Sequence, residues 1–279
     1  MPLKLMYITN SPEVALCCEN AGVDRIFVDM EYIGKSDRQG GMNTVQNRHT
    51  IQDVITIRSA VKKAELLVRC NPIHPATNKY SSSYEEIDKI VKAGADVIML
   101  PYFKTIDEVK LFLNAVDGRA RTMLLFETPQ SVEIVDEILS FSGIDEAYIG
   151  LNDLSLGYGK RFMFEPLGDG TVDLLCEKFK QAGVDYGFGG IASLGNGLLP
   201  AELIIGEHYR LGSTRVILSR SFCNIHQGLS NSTLSTVFAD GIERIREYEA
   251  SLTLRDETWF ENNRSTVCEK IKIIAGSVN

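Results

Sequence analysis

The sequence is short of the residues on which several common chemistries depend. It has one tryptophan and four histidines in 279 residues. The histidines, His49, His74, His208 and His226, have no partners at metal-ligand spacing. None of the six cysteines stands in a Cys-x-x-Cys pair or at metal-finger distance from a histidine, so reduced cytosolic thiols are expected. No Gly-x-Ser-x-Gly turn or Ser-His-Asp arrangement is visible, which lowers a hydrolase reading. Basic residues are not in excess: 29 Lys and Arg face 37 Asp and Glu, for a net charge of -8. A nucleic-acid partner would need a basic face and is not expected. No run is long and apolar enough to cross a membrane, and the apolar stretch at the start is too short for a signal peptide. A cytoplasmic protein with no membrane partner is the expectation. Two glycosylation triplets, Asn231-Ser232-Thr233 and Asn263-Arg264-Ser265, are therefore read as chance. There is no internal repeat and no low-complexity segment.

What is present is a recurring pattern. The stretch Thr122 to Phe126 is apolar and of strand length, and it ends abruptly in Glu127. Arg25 to Val28 runs into Asp29-Met30-Glu31, and Leu66 to Val68 into Arg69-Cys70-Asn71-Pro72. Val97 to Leu100 runs into Pro101, and Ala147 to Gly150 into Leu151-Asn152-Asp153. Near-continuous apolar strands suit a parallel sheet covered on both faces. A carboxylate closing such a strand is costly to bury unless a cation or a donor meets it.

Helices alternate with the strands. Ser11 with Pro12 opens a helix to Asn20, stopped by Gly22. Thr50 to Ala64 has helical apolar spacing, and Ser83 with Glu86 and Thr105 with Glu108 form capping boxes. Ser131 caps a helix to Phe141, Val172 to Gln181 is helical, and Pro200 opens a helix to Leu211. Strands Leu3 to Ile8, Asp185 to Phe188 and Arg215 to Leu218 complete eight strand–helix alternations. A long amphipathic helix, Leu234 to Leu252, and a polar tail carrying Trp259 follow. The economical answer is a single (β/α)8 TIM barrel over residues 1–252 with a C-terminal extension, 253–279. An open doubly wound sheet is the runner-up. In a barrel the carboxyl ends of the strands share one face, where the active site sits. Asp29, Glu31, Arg69, Glu127 and Asp153 would then converge on one mouth.

Two carboxylates at successive strand ends, Glu127 and Asp153, suit a hard cation such as Mg2+ or Mn2+. They equally suit helix caps or ion pairs. Arg69 offers a planar donor fork for a carboxylate or a developing enolate oxygen; a structural bridge to Asp29 or Glu31 is the alternative. The glycine-rich Gly187 to Ala192 matches the dinucleotide pattern only loosely, since it follows the seventh strand. His74 lies close enough to Arg69 in sequence to reach the mouth, although a solvated loop position is the plainer reading. His208, on an outer helix, reads as a surface residue.

Taken together, these stretches resemble the HpcH/HpaI aldolase and citrate lyase beta family. The resemblance rests on Leu125-Phe126-Glu127-Thr128, Tyr148-Ile149-Gly150-Leu151-Asn152-Asp153-Leu154-Ser155, Val68-Arg69-Cys70-Asn71-Pro72, Gly94 to Pro101 and Phe27-Val28-Asp29-Met30-Glu31, and it spans roughly Asp24 to Phe222. It implies a phosphoenolpyruvate/pyruvate-type barrel with Mg2+, Mn2+ or another divalent metal. It implies that Glu127 and Asp153 bind the metal and that Arg69 contacts the substrate's keto or enolate oxygen. Backbone N–H groups around Asn152 and Asp153 would hold the substrate carboxylate, with Pro101 at the substrate. The implied reaction is reversible carbon–carbon cleavage of a 2-keto acid to a pyruvate-like enolate and an aldehyde. The alternatives are an acyl-CoA lyase of the citrate lyase beta type and a catalytically weak barrel serving in binding or assembly.

One position departs from the family pattern. The aldolase branch follows its Asp-x-Glu with a histidine base, whereas Asp29-Met30-Glu31 is followed here by Tyr32. A phenol of pKa about 10 is a poor base near neutrality, so a metal-bound water, Glu31 or His74 is the expected substitute; the catalytic candidates are Arg69, Glu31, Asp29 and Tyr32. The long polar loop Ile33 to Asn47 also departs from the short form. Family barrels assemble through C-terminal helices, so a homo-oligomer, trimer or hexamer, is expected through Leu234 to Leu252 and the tail.

Overall fold

The structure, a computed structural model, describes residues 2–34, 48–223 and 230–277. Most of the loop Ile33 to Asn47, and His226, lie outside the described residues.

Eight parallel strands close on themselves in chain order. They are β1 (Lys4–Ile8), β2 (Arg25–Asp29), β3 (Glu65–Arg69), β4 (Val97–Leu100), β5 (Arg121–Phe126), β6 (Glu146–Ile149), β7 (Asp185–Ile191) and β8 (Arg215–Leu218). β8 pairs with β1 from Lys4↔Arg215 to Tyr7↔Leu218, so the sheet is a barrel and the open-sheet alternative is excluded.

Helices on the outside cover the barrel. They are α1 (Pro12–Ala21), α2 (Ile51–Ala60), α3 (Ser83–Lys92), α4 (Ile106–Val116), α5 (Pro129–Glu133), α6 (Val135–Ile138), α7 (Leu151–Gly157), α8 (Glu165–Gly168), α9 (Thr171–Gln181), α10 (Ala201–Leu211), α11 (Asn231–Leu252) and α12 (Glu257–Ser277). Several ends follow the local chemistry read from the sequence. Ser11 accepts from the Val14 N–H, Gly22 ends α1 at φ +93°, and Thr105 and Glu108 cap each other reciprocally.

Other ends differ. α3 is capped by Ser82, which accepts from the Glu85 N–H. Ser83 is drawn instead to His74, whose backbone N–H donates to its hydroxyl at 2.9 Å. The helix after β5 is capped by Thr128, not Ser131, and breaks at Ile134 into α5 and α6. The tail is not merely polar: it forms α12, which buries Asn263, Val267 and Ile271. Gly206 of α10 makes room for that helix, because a Cβ there would stand 2.7 Å from the Asn263 side chain.

Side-chain alternation along each strand sorts the interior into layers. The middle of the bore is apolar, with Met6, Phe27, Leu67, Met99, Met123 and Leu125 in contact. Below it, at the amino-terminal end, lies a charged floor. Arg25 donates to both oxygens of Glu146 at 2.8 and 2.9 Å and to Glu65 at 2.7 Å. Arg121 reaches Glu65, and Arg215 reaches Glu146 and Asp185. Burial alone would raise the Glu65 carboxyl, but Arg25, Arg121 and Lys4 outweigh it and pull its pKa down to about 2.

β7 takes the glycine-rich stretch into the sheet. Its register slips between Gly187 and Gly190, and a Cβ on Gly187 would stand 2.2 Å from the Arg215 carbonyl. The buried Tyr148 hydroxyl donates to the Gly189 carbonyl and accepts from the Ile217 N–H. These glycines serve barrel packing at a β-bulge.

Candidate functional site

The same alternation that builds the floor places a second charged layer at the carboxyl-terminal end. Arg69 ends β3 opposite Asp29 of β2. Its Nε and Nη2 donate to the two carboxylate oxygens of Asp29, both at 2.8 Å, a bidentate fork. Its Nη1 lies 3.3 Å from Glu31 Oε2, an ion-pair distance with poor hydrogen-bond alignment. The guanidinium carbon sits 5.6 Å above the Phe27 ring. Burial alone would lower the Arg69 pKa, yet Asp29, Glu31 and Glu127 outweigh it and hold the guanidinium firmly charged. Arg69 thus makes the bridge to Asp29 foreseen as one alternative, while the field of Glu127 reaches it across the mouth.

Glu127 follows β5 and is only 3% exposed. Its Oε1 accepts the Tyr102 N–H at 2.9 Å. Tyr102, just after the buried Pro101, adopts φ +50°, a left-handed backbone conformation that costs a bulky residue energy and tends to mark functional sites. The Oε2 side of Glu127 packs over Gly150, where a Cβ would meet it at 2.8 Å. Gly150, only a strand end in the sequence, leaves room for the carboxylate. Asn152 and Asp153 lie half-buried in the first turn of α7. No side chain caps that helix end, and Ser155 fixes the turn by donating to the Asn152 carbonyl at 2.7 Å.

Two further supports escaped the sequence. His49, buried just before α2, accepts the Asp29 N–H at Nδ1 at 3.0 Å. Asn71 accepts from the N–H groups of Tyr32 and Ile33 at 2.9 and 3.0 Å. It also donates from backbone and side chain to Glu86 at 3.0 and 2.9 Å. Glu86 is therefore a buried hydrogen-bond hub and not a capping residue. Its pKa is raised, burial outweighing the Asn71 bonds and the nearby His74 and Lys89. The only sequence signal was a polar Asn between Arg69 and Pro72.

Three positions differ from what the sequence suggested. His74 is neither in the mouth nor solvated. Its ring nitrogens lie 2.7 Å from the Pro72 carbonyl and 2.9 Å from the Ser81 carbonyl, in a loop beside the barrel. His208 is not a surface residue: it is fully buried and stacks on Phe188 with ring centres 3.8 Å apart. Desolvation pushes its pKa down to about 3, and Nδ1 bonds Ser213 at 2.7 Å. Tyr32 is 46% exposed and lines a side cavity with Met30, while Glu31 between them turns to Arg69. The Tyr32 phenol is raised further by burial and by the nearby Glu86 and Tyr80.

The family model described as HpcH/HpaI aldolase/citrate lyase matches residues 4–162. No curated protein matches the chain. Solved structures share its fold at low identity. An HpcH/HpaI aldolase/citrate lyase family protein from Burkholderia cenocepacia J2315 is 17% identical, with a TM-score of 0.61 over 85% of this chain and 94% of that one. An HpcH/HpaI aldolase from Desulfitobacterium hafniense DCB-2 is 17% identical, with a TM-score of 0.56 over 88% and 93%. The citrate synthase SbnG is 15% identical, with a TM-score of 0.60 over 84% and 93%.

Proposed function

The chain belongs to the HpcH/HpaI aldolase/citrate lyase family, and from that premise we propose that it is a divalent-metal-dependent carbon–carbon lyase. The proposed reaction cleaves or forms a 2-keto acid through a pyruvate-like enolate, with an aldehyde as the second fragment. The observation that carries this reading is a guanidinium, Arg69, held in a bidentate fork by Asp29 at the same end of the barrel as the buried carboxylate of Glu127.

The donor chemistry fits a hard cation. Among the described residues no group of three or more His, Cys, Asp or Glu side chains is placed to hold an ion. The protein's share would then be two carboxylates, Glu127 and Asp153, leaving other positions to water and substrate, as Mg2+ and Mn2+ accept. When bound, the metal supplies Lewis-acid stabilisation of the enolate oxygen. Gly150 supports the assignment, since its missing Cβ leaves room for the Glu127 carboxylate.

The residues then divide the work. Arg69, clamped by Asp29, offers positive charge where the enolate oxygen gains negative charge, with no reorganisation during the reaction. Backbone N–H groups around Asn152 and Asp153 take the substrate carboxylate, and Pro101 with Tyr102 borders it. Proton transfer falls to Glu31, because Tyr32 faces the side cavity and both His74 nitrogens face carbonyl oxygens. The protein is proposed to work as a trimer or hexamer, which sedimentation would measure.

The test is Mn2+- or Mg2+-dependent release of pyruvate from 4-hydroxy-2-keto acids. Glu127→Ala and Asp153→Ala should each abolish metal binding and turnover while leaving the thermal transition in place. Full metal-dependent turnover in either variant, or turnover only of acyl-CoA thioesters, would sink this assignment.

A further inference from the structure

A cavity of about 210 Å3 lies beside the mouth, between the end of β2 and the loop leading into α3. It is separate from the charged layer around Arg69. Met30 and Tyr32 face it while Glu31 faces Arg69, so one short segment serves both spaces from opposite sides. Tyr32 and Tyr80 supply aromatic walls, Asn71 and Glu86 a polar inner surface, and Lys79 and Lys89 two cations.

The charges decide what fits. Lys79 and Lys89 form no ion pair among the described residues, whereas Lys92 and Arg119 nearby are both tied to Asp88. The cavity's one carboxylate, Glu86, accepts two Asn71 donors, has His74 Nε2 at 3.6 Å and lies in the field of Lys89, which leaves two lysines facing a single acid. In a chain of net charge -8, the lining therefore leans positive, which repels cations and favours an anion. The volume equals roughly seven waters, enough for a short dicarboxylate or a phosphorylated three-carbon compound.

We propose that this side cavity is a second binding site, for a small organic anion held by Lys79 and Lys89 between the rings of Tyr32 and Tyr80. Asn71 connects the cavity to the mouth: it holds the Tyr32 and Ile33 N–H groups two residues past Arg69. The anion is either the charged tail of the aldehyde acceptor or a separate effector, and the two share one recognition chemistry.

The experiment is calorimetric titration of the full chain with malonate and with inorganic phosphate. Wild type, Lys79→Gln/Lys89→Gln, Tyr80→Ala and Glu127→Gln are compared. The lysine pair variant should bind malonate at least about tenfold more weakly, a change of about 1.4 kcal/mol. Tyr80→Ala should weaken it too, and Glu127→Gln should leave it unchanged. Wild-type binding absent at about 10 mM ligand, or equal binding in the lysine pair variant, would overturn the proposal. The source of the anion is read kinetically and rests on the lyase reading. Malonate competing with the aldehyde points to the acceptor's tail; malonate changing kcat at saturating aldehyde points to an effector. A chain that binds malonate through the lysines yet releases no pyruvate would refute the lyase reading and leave this site standing.

Discussion

Replacing Gly150 with alanine is the sharpest probe of the proposed metal-binding role of Glu127. The new methyl would stand 2.8 Å from both Cβ and Oε2 of Glu127 and 3.2 Å from Leu125 Cδ1. Ordinary contact begins at 3.4 Å, so the carboxylate must retreat by about 0.6 Å in a region with little slack. Glu127 and Leu125 are only 3% and 4% exposed. Overpacking of this kind costs about 1–3 kcal/mol, or a fall in Tm of roughly 2–12 °C for a chain of this size. The functional loss should be larger than the stability loss suggests. A misplaced ligand typically costs about 10- to 100-fold in metal affinity or activity. Calorimetric Mn2+ titration and pyruvate release on the folded variant measure that directly. Gly276→Ala, in α12 with nothing within 4 Å of the added carbon, is the control and should change neither. If Gly150→Ala bound Mn2+ and turned over like wild type, Glu127 would not be holding the ion.

Arg69→Lys should lower kcat/KM by about 100-fold or more, because an ammonium cannot keep the Asp29 fork and present a second edge; near-normal kinetics would remove Arg69 from the chemistry. Glu146→Gln should cost about 3–5 kcal/mol by leaving the buried Arg25 and Arg215 under-compensated, and a Tm within about 2 °C of wild type would contradict that. His208 is held neutral, its pKa lowered to about 3. The unfolded chain binds the extra proton first, so this contribution is fully present above about pH 6.5 and is lost as pH falls towards 3. Urea midpoints measured across that window should fall more steeply for wild type than for His208→Phe; parallel slopes would show that the histidine does not titrate as argued.

The barrel was legible because strand length, apolar runs and capping residues all point one way. The mouth was legible in outline, since Asp29, Arg69 and Glu127 sit where apolar runs break. What stayed hidden was set by contacts between distant segments. The imidazole of His208 looks like any polar residue on a helix until Phe188 is known to lie flat against it. Glu86 had the spacing of a capping partner, but the Asn71 amide is the stronger attraction. Tyr32 follows Glu31 directly, yet the two-residue period of extended chain sends them to opposite sides. Arg25, Glu65 and Glu146 opened their strands unremarked, because charge at the start of a strand carries no distinctive local pattern.

That lower layer has a consequence for how the molecule can change. Seven of the eight strands meet there through matched acids and bases, so sliding any one of them past its neighbours would strand a guanidinium or a carboxylate among aliphatic side chains. Alignment is therefore fastened from beneath. The loops at the opposite rim are relieved of that duty, and can be lengthened or rewritten for new substrates without unthreading the staves.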